Sequence, residues 1–196
     1  MRQSRLSSLN FMALCCVLGL FTKKLINPLA NVITESLHIP GGISTGFSIM
    51  FLVVAAEVVC GQRTGMQYAG NKKGSSRKYC GTLMGAVQGF LALCLGRVGS
   101  MGLLAPIGYI VPGIAIDLVY GLSRRFGLDR TERMVFANAL AAVMASVTAN
   151  VIVFRLWGPV LFLYLCVSAC SGTVYGILGS MVAGKLRKAI ALDIMG

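Results

Sequence analysis

Charge in this chain is confined to short gaps between long apolar runs, and that segregation limits the possible folds more than any other feature. The runs cover residues 6–22, 43–59, 80–95, 101–122, 134–156 and 158–184. A helix crossing a bilayer needs about 20 predominantly apolar residues, so six such spans use roughly 120 positions and leave room only for short loops and tails. Only 12% of the 196 residues are charged, whereas a soluble domain carries about 25%. The polar shell of a soluble fold is missing, and the apolar surface must meet lipid. The expected fold class is an all-α integral membrane protein, a bundle of about six transmembrane helices forming one membrane domain over residues 1–196, multi-pass in the cell (cytoplasmic) membrane. Residues 6–22 follow Arg2 and Arg5, lack a small-x-small cleavage site and run into Lys23-Lys24, which reads as a first helix rather than a signal peptide.

Orientation follows from the distribution of lysine and arginine. Arg2, Arg5, Arg63, Lys72, Lys73, Arg77, Lys78, Arg124, Arg125, Arg130, Arg133, Lys185, Arg187 and Lys188 fall on one side of a six-helix arrangement. Lys23, Lys24, Arg97 and Arg155 fall on the other. The heavier side is expected to be cytoplasmic, which gives N-in and C-in topology with cytoplasmic loops at 61–79 and 123–133. The net charge of +12 is therefore a topology signal rather than a nucleic-acid footprint, and no nucleic-acid partner is expected. Between the first two helices, residues 27–42 contain Asn27-Pro28 and Pro40-Gly41-Gly42. These breaks predict an outer, lid-like segment that folds back over the bundle.

Small residues recur every four positions in three helices: Gly81, Gly85 and Gly89; Ala137, Ala141, Ala145 and Ala149; and Ser168, Gly172, Gly176, Ser180 and Gly184. Such stripes let backbones approach closely, the main source of helix association in lipid. They serve either internal packing or the docking of a partner subunit. Cys15 and Gly19, with the Gly81, Gly85, Gly89, Ala137, Ala141 and Ala145 stripes, are the candidate docking residues.

Six acidic residues remain to be explained. Glu57 and Asp117 lie about a turn from the cytoplasmic ends of their helices, within reach of water or basic loop residues, with structural, partner-docking and ligand roles all open. The outer half is richer in groups for a small polar molecule. Glu35 and His38 follow the first helix, Thr45 and Ser48 start the second, and Gln88, Tyr109, Asn150, Trp157 and Tyr164 lie in or beside later helices, with Arg97 and Arg155 capping helices on the same side. Aromatic faces with a few amides and one or two charges suit a flat heterocyclic nutrient. The candidate substrate contacts are Glu35, Gln88, Tyr109, Asn150, Trp157, Arg97 and Arg155. Seven cysteines without a CxxC pair and a single histidine argue against zinc, so neither a metal nor a cofactor is expected. The chain has a single histidine and no HExxH or DxxD-type cluster, and an enzyme is not expected. It has no Walker motif either, so any ATP-driven work must be powered by other subunits.

The helix count, the topology, the basic loop after the second helix and the outer segment after the first together resemble the substrate-binding S component of energy-coupling factor (ECF) vitamin transporters. Locally, Gly99-Ser100-Met101-Gly102 through Ile107-Gly108-Tyr109-Ile110-Val111-Pro112-Gly113-Ile114-Ala115-Ile116-Asp117 is similar to the Gly- and Ile-rich fourth helix of S components for hydroxymethylpyrimidine or thiamine uptake. The resemblance implies a membrane-embedded substrate-binding subunit of a bacterial ATP-driven importer. It also implies three partner chains, a membrane coupling subunit and two ATPases. Helix 1 departs from the family's Ala-x-x-x-Ala docking pattern, since Ala13 is followed four residues later by Val17, with only Cys15 and Gly19 at that spacing. Two other functions fit the same residues, a membrane scaffold or assembly protein docking through the stripes, and a small stand-alone channel or exporter. For the importer reading, Glu35→Gln is expected to weaken binding of a cationic ligand roughly tenfold, about 1.4 kcal/mol. Unchanged affinity in a titration would remove Glu35 from the site.

Overall fold

The computed structural model describes residues 10–22, 25, 32, 43–67, 79–96, 102, 104–153, 155 and 157–195. Among them are six α-helices and no strand. In chain order these are α1 (Asn10–Thr22), α2 (Ile43–Gln67), α3 (Cys80–Cys94), α4 (Ala105–Phe126), α5 (Arg130–Val147) and α6 (Pro159–Met195). α5 continues into one π-helical turn, Thr148–Val153. Three stretches are long and apolar enough to cross a membrane: Ala105–Ser123, Arg130–Ile152 and Pro159–Arg187. α1, α3 and the Thr45–Val59 part of α2 are apolar but shorter. The outer lid-like segment at 27–42 and most of the 61–79 loop lie outside the described residues.

Helix boundaries extend past the apolar runs where polar residues stabilise the ends. α5 begins at Arg130, four residues earlier than its apolar run, because Asp129 is its N-cap and Glu132 accepts the Asp129 N–H at 3.1 Å. That reciprocal arrangement satisfies donors that a helix start otherwise leaves bare. α4 runs on to Phe126 and stops at Gly127, whose φ of 62° is the left-handed conformation that glycine adopts without steric cost. α2 continues through Gln67 and α6 through Met195, where sequence pattern alone predicts a loop from Gly61 and a tail from Lys185. Pro106 sits in the first turn of α4, where its missing N–H costs nothing.

Two seams built from small residues organise the bundle. On α3, Gly81 lies against the Gly113 carbonyl and Gly89 against Pro106 of α4; a Cβ would come within 2.6 Å of the Gly113 oxygen and 2.9 Å of the Pro106 Cα. Gly85 faces the Tyr109 backbone in the same seam. On α6, Gly172 and Gly176 lie against Ala139 and Val135 of α5, where added Cβ atoms would each meet a Cα at 2.7 Å. α2 packs over α5 and α6, with Gly46 against Ser171 and Gly172 and Gly179 against Met50. α2 makes far less contact with α3 and α4. The result is two bodies, α3 with α4 and α2 with α5 and α6, joined mainly along α4 and α5. The core of Leu52, Val53, Val54, Ala55, Met84, Ile116, Met134 and Ala141 is buried between them, while Phe90, Phe126, Phe162 and Met181 point outward, 60–70% exposed.

Close backbone approach makes the seams intolerant of volume. Gly172→Ala is expected to destabilise by about 1–3 kcal/mol through overpacking on α5. Gly121→Ala, whose Cβ would meet nothing within 4 Å, is expected to be neutral or to stabilise α4 by up to about 1 kcal/mol. Thermal unfolding of the two variants in detergent checks this; equal midpoints would contradict the seam.

Candidate functional site

Four of the described helices converge on a small cavity whose lining is mainly apolar with a few polar groups. It is ≈ 20 Å³ in volume and is lined by Thr45, Ser48, Ile49 and Leu52 of α2, Gln88 of α3, Gly108, Tyr109 and Pro112 of α4, and Ala145 of α5. A polar site of about 10–15 Å³ already accommodates one water, so this one is sized for a water rather than a nutrient. Its polarity has a backbone origin as well as a side-chain one. Pro112 lies inside α4 and has no N–H, which deprives the Gly108 carbonyl, four residues earlier, of its usual helical donor. Both residues line the cavity, so the helix break lies where a ligand or water can substitute for the missing bond.

Gln88 is 2% exposed and donates from Nε2 to the Cys16 carbonyl of α1 at 3.3 Å. Gly19 makes that contact possible, since a Cβ there would meet the Gln88 Nε2 at 2.6 Å. Cys15 and Gly19 thus face into the bundle, and the outer face of α1 carries Leu14, Val17, Leu18 and Phe21. The other candidate docking residues also face inward: Gly81, Gly85 and Gly89 form the α3–α4 seam, and Ala137 and Ala141 are fully buried, with Ala145 half-buried beside the cavity. Among the described residues the stripes are occupied by internal packing.

Of the candidate substrate contacts, the structure brings Gln88 and Tyr109 together. Asn150 is buried in the π-helical turn, where its Nδ2 donates to the Ser146 carbonyl at 2.8 Å and to Ser146 Oγ at 3.1 Å. It satisfies that turn locally and does not line the cavity. Arg155 and Trp157 are exposed in the connection to α6, Arg155 at a φ of 48°, and neither lines the cavity. Glu35, His38 and Arg97 lie outside the described residues.

At the opposite end of the bundle, the two acids within apolar helices, Glu57 and Asp117, have defined partners. Asp117 on α4 accepts the Gly81 and Thr82 N–H groups at 2.7 Å each and the Thr82 hydroxyl at 2.6 Å. It caps α3 from a neighbouring helix, placing negative charge at the positive end of the α3 dipole. Glu57 on α2 is fully buried. It accepts Arg133 Nη2 at 2.9 Å on both oxygens and the Tyr120 hydroxyl at 2.9 Å. Arg187 Nη2 lies 3.1 Å from Oε1 and donates to the Glu57 carbonyl at 2.8 Å, and Arg130 Nε stands 3.6 Å from Oε1. Arg133 also lies over the Tyr120 ring at 5.2 Å. Sequence reasoning reached the two acids and the idea of basic compensation, but not this convergence. Arg130 and Arg133 at i, i+3 on one helix and Arg187 a turn from the end of an apolar run were the available signals.

No family model, curated protein or solved structure matches the chain.

Removing one member of a buried ionic cluster leaves the others uncompensated and typically costs 3–5 kcal/mol. Glu57→Ala is therefore expected to lose about that much stability, and adding Arg133→Met to it is expected to cost less than the sum of the single changes by about 1–3 kcal/mol. A double-mutant cycle of unfolding free energies measures the coupling. Strict additivity would show that Glu57 and Arg133 do not act as a pair.

Proposed function

We propose that this chain is a multi-pass protein of the bacterial cytoplasmic membrane. In this reading it binds a vitamin-sized micronutrient or precursor from outside, as the substrate-binding subunit of an ATP-driven importer. All six helices act as spans, N-in and C-in, with the arginine-rich end in the cytoplasm and the cavity in the outer half. The apolar outward faces and the three stretches of membrane-crossing length support this placement. α3 is about 22 Å long at 1.5 Å per residue, short of the roughly 30 Å hydrocarbon core, which local thinning accommodates at modest cost. With no Walker motif in the chain, energy comes from a separate coupling subunit and two ATPases.

The observation that carries the reading is the cavity. Tyr109, Gln88, Ser48, Thr45 and Gly108 line it, an aromatic residue beside several hydrogen-bonding ones, the combination that orients a flat heterocycle. Ligand sites run to about 300–1,000 Å³, so substrate must enlarge this one. The enlargement has an obvious route, because the cavity lies where α2 faces α3 and α4, and contact along that line is sparse. The inward-facing stripes weigh against the scaffold alternative in the form that docks partners through them.

The test is to purify the full chain in detergent and identify any co-purified compound by mass spectrometry, then to titrate it. A stoichiometric vitamin-like compound is expected. Gln88→Leu, close to isosteric, is expected to weaken its binding about tenfold, roughly 1.4 kcal/mol, with the elution profile unchanged. An empty protein that no vitamin panel stabilises against heat would sink the importer reading and favour a scaffold.

A further inference from the structure

Among the described residues, Arg130, Arg133 and Arg187 bring three positive charges to one carboxylate, Glu57, an excess of two. Donors outnumber acceptors even more heavily. Each guanidinium carries five N–H groups, and the hydrogen-bond acceptors found for the three are the Glu57 carboxylate and the carbonyls of Glu57 and Ser180, the last at 3.4 Å from Arg130 Nη2. All three Nε atoms are buried without a hydrogen-bonding acceptor. The side chains nevertheless remain 34%, 19% and 25% exposed, so their outer edges are open to a ligand.

We propose that this cluster is a binding site for a phosphate group, which supplies several acceptor oxygens and the negative charge that Glu57 alone does not. Guanidinium edges match phosphate geometry in paired hydrogen bonds. The apolar stretches of α4, α5 and α6 end at Ser123, Arg130 and Arg187, so the cluster stands at the edge of the apolar zone. In a bilayer that is the depth of lipid phosphates, and basic pockets between helices on the cytoplasmic side hold anionic headgroups. The depth argument rests on the membrane reading above; the phosphate chemistry does not. Two sources share that chemistry, a phospholipid headgroup and free phosphate.

The experiment uses the delipidated full chain in an uncharged detergent, with thermal unfolding as readout at constant ionic strength. Phosphatidylglycerol, inorganic phosphate and diacylglycerol are added separately, the last as a phosphate-free control. Phosphatidylglycerol at about a hundredfold excess over its dissociation constant is expected to raise the midpoint by about 5 °C or more, and diacylglycerol is expected to leave it unchanged. A rise with inorganic phosphate as well assigns the site to phosphate from either source; a rise with the lipid alone assigns it to the headgroup. Arg130→Gln, which leaves Glu57 its Arg133 and Arg187 partners, is expected to weaken the response about tenfold. Should that variant not fold, phosphorus retained per wild-type chain after gel filtration gives a second measure, expected to approach one. No shift with either phosphate source, an equal shift with diacylglycerol, or no retained phosphorus would overturn the site. None of these outcomes touches the cavity at the other end, so failure here is distinguishable from failure of the importer reading.

Discussion

The bundle depends on one buried carboxylate. Glu57 draws Tyr120 of α4, Arg130 and Arg133 of α5 and Arg187 of α6 to a single point on α2, so four helices share one set of directional bonds. Apolar contacts cannot do this on their own. α6 is apolar on nearly every face, so its hydrophobic pattern does not tell it which side to turn inward. The directional groups select its rotation and register instead: Arg187 at one end, and Asn138 of α5, which donates to the Gly172 carbonyl at 2.7 Å, near the middle. Asp117 performs the same service for α3. Each polar group is few in number but intolerant of misalignment, and the small-residue seams then close around the register these bonds define.

Those seams also decide where the bundle is stiff. Backbones in direct contact, as between Gly81 and Gly113 or Gly172 and Ala139, leave no flexible side chain to absorb a shift. α3 and α4 therefore move together, as do α5 and α6. α2 follows α5 and α6 because Gly46 seats it on Ser171 and Gly172. What remains adjustable is the line where α2 faces α3 and α4, and the cavity lies on that line. Pro112 lies on that line too, and its missing N–H removes one α4 backbone bond beside the cavity.

The sequence disclosed the architecture to a large extent because its signals are strong and local. Long apolar runs separated by basic gaps locate the helices, and small residues at intervals of four locate the seams. Helix ends were less legible. The start of α5 at Arg130 depends on Asp129 and Glu132 acting together, and α6 runs past Lys185 although its apolar run ends there. The site was legible in part. Gln88 and Tyr109 share the cavity, but Asn150, Arg155 and Trp157 do not, because residue type and depth say nothing about which way a helix is rotated. Asn150 has the right depth and chemistry, yet the π-helical turn directs its amide to Ser146. The convergence of three arginines on Glu57 was hidden for the same reason, since the arginines lie 73 to 130 positions away in sequence.

The relative placement of cavity and cluster has a mechanical consequence. Both lie on α2, with Ser48 at one and Glu57 at the other, nine residues or about 13.5 Å apart along the helix. At the Glu57 end α2 is tied to α4 through Tyr120; at the Ser48 end both helices line the cavity. Because Gly46 seats α2 on α6, a ligand that parts α2 from α4 by about 3 Å at the cavity would rotate α2 together with α5 and α6 by about 13° about the ionic cluster, by the same helical geometry, rather than translate them. Such a splay opens the cavity end while leaving the hydrogen bonds of Glu57 nearly unstretched, because they lie at the pivot. The costly interaction and the adjustable one are thus separated along a single helix.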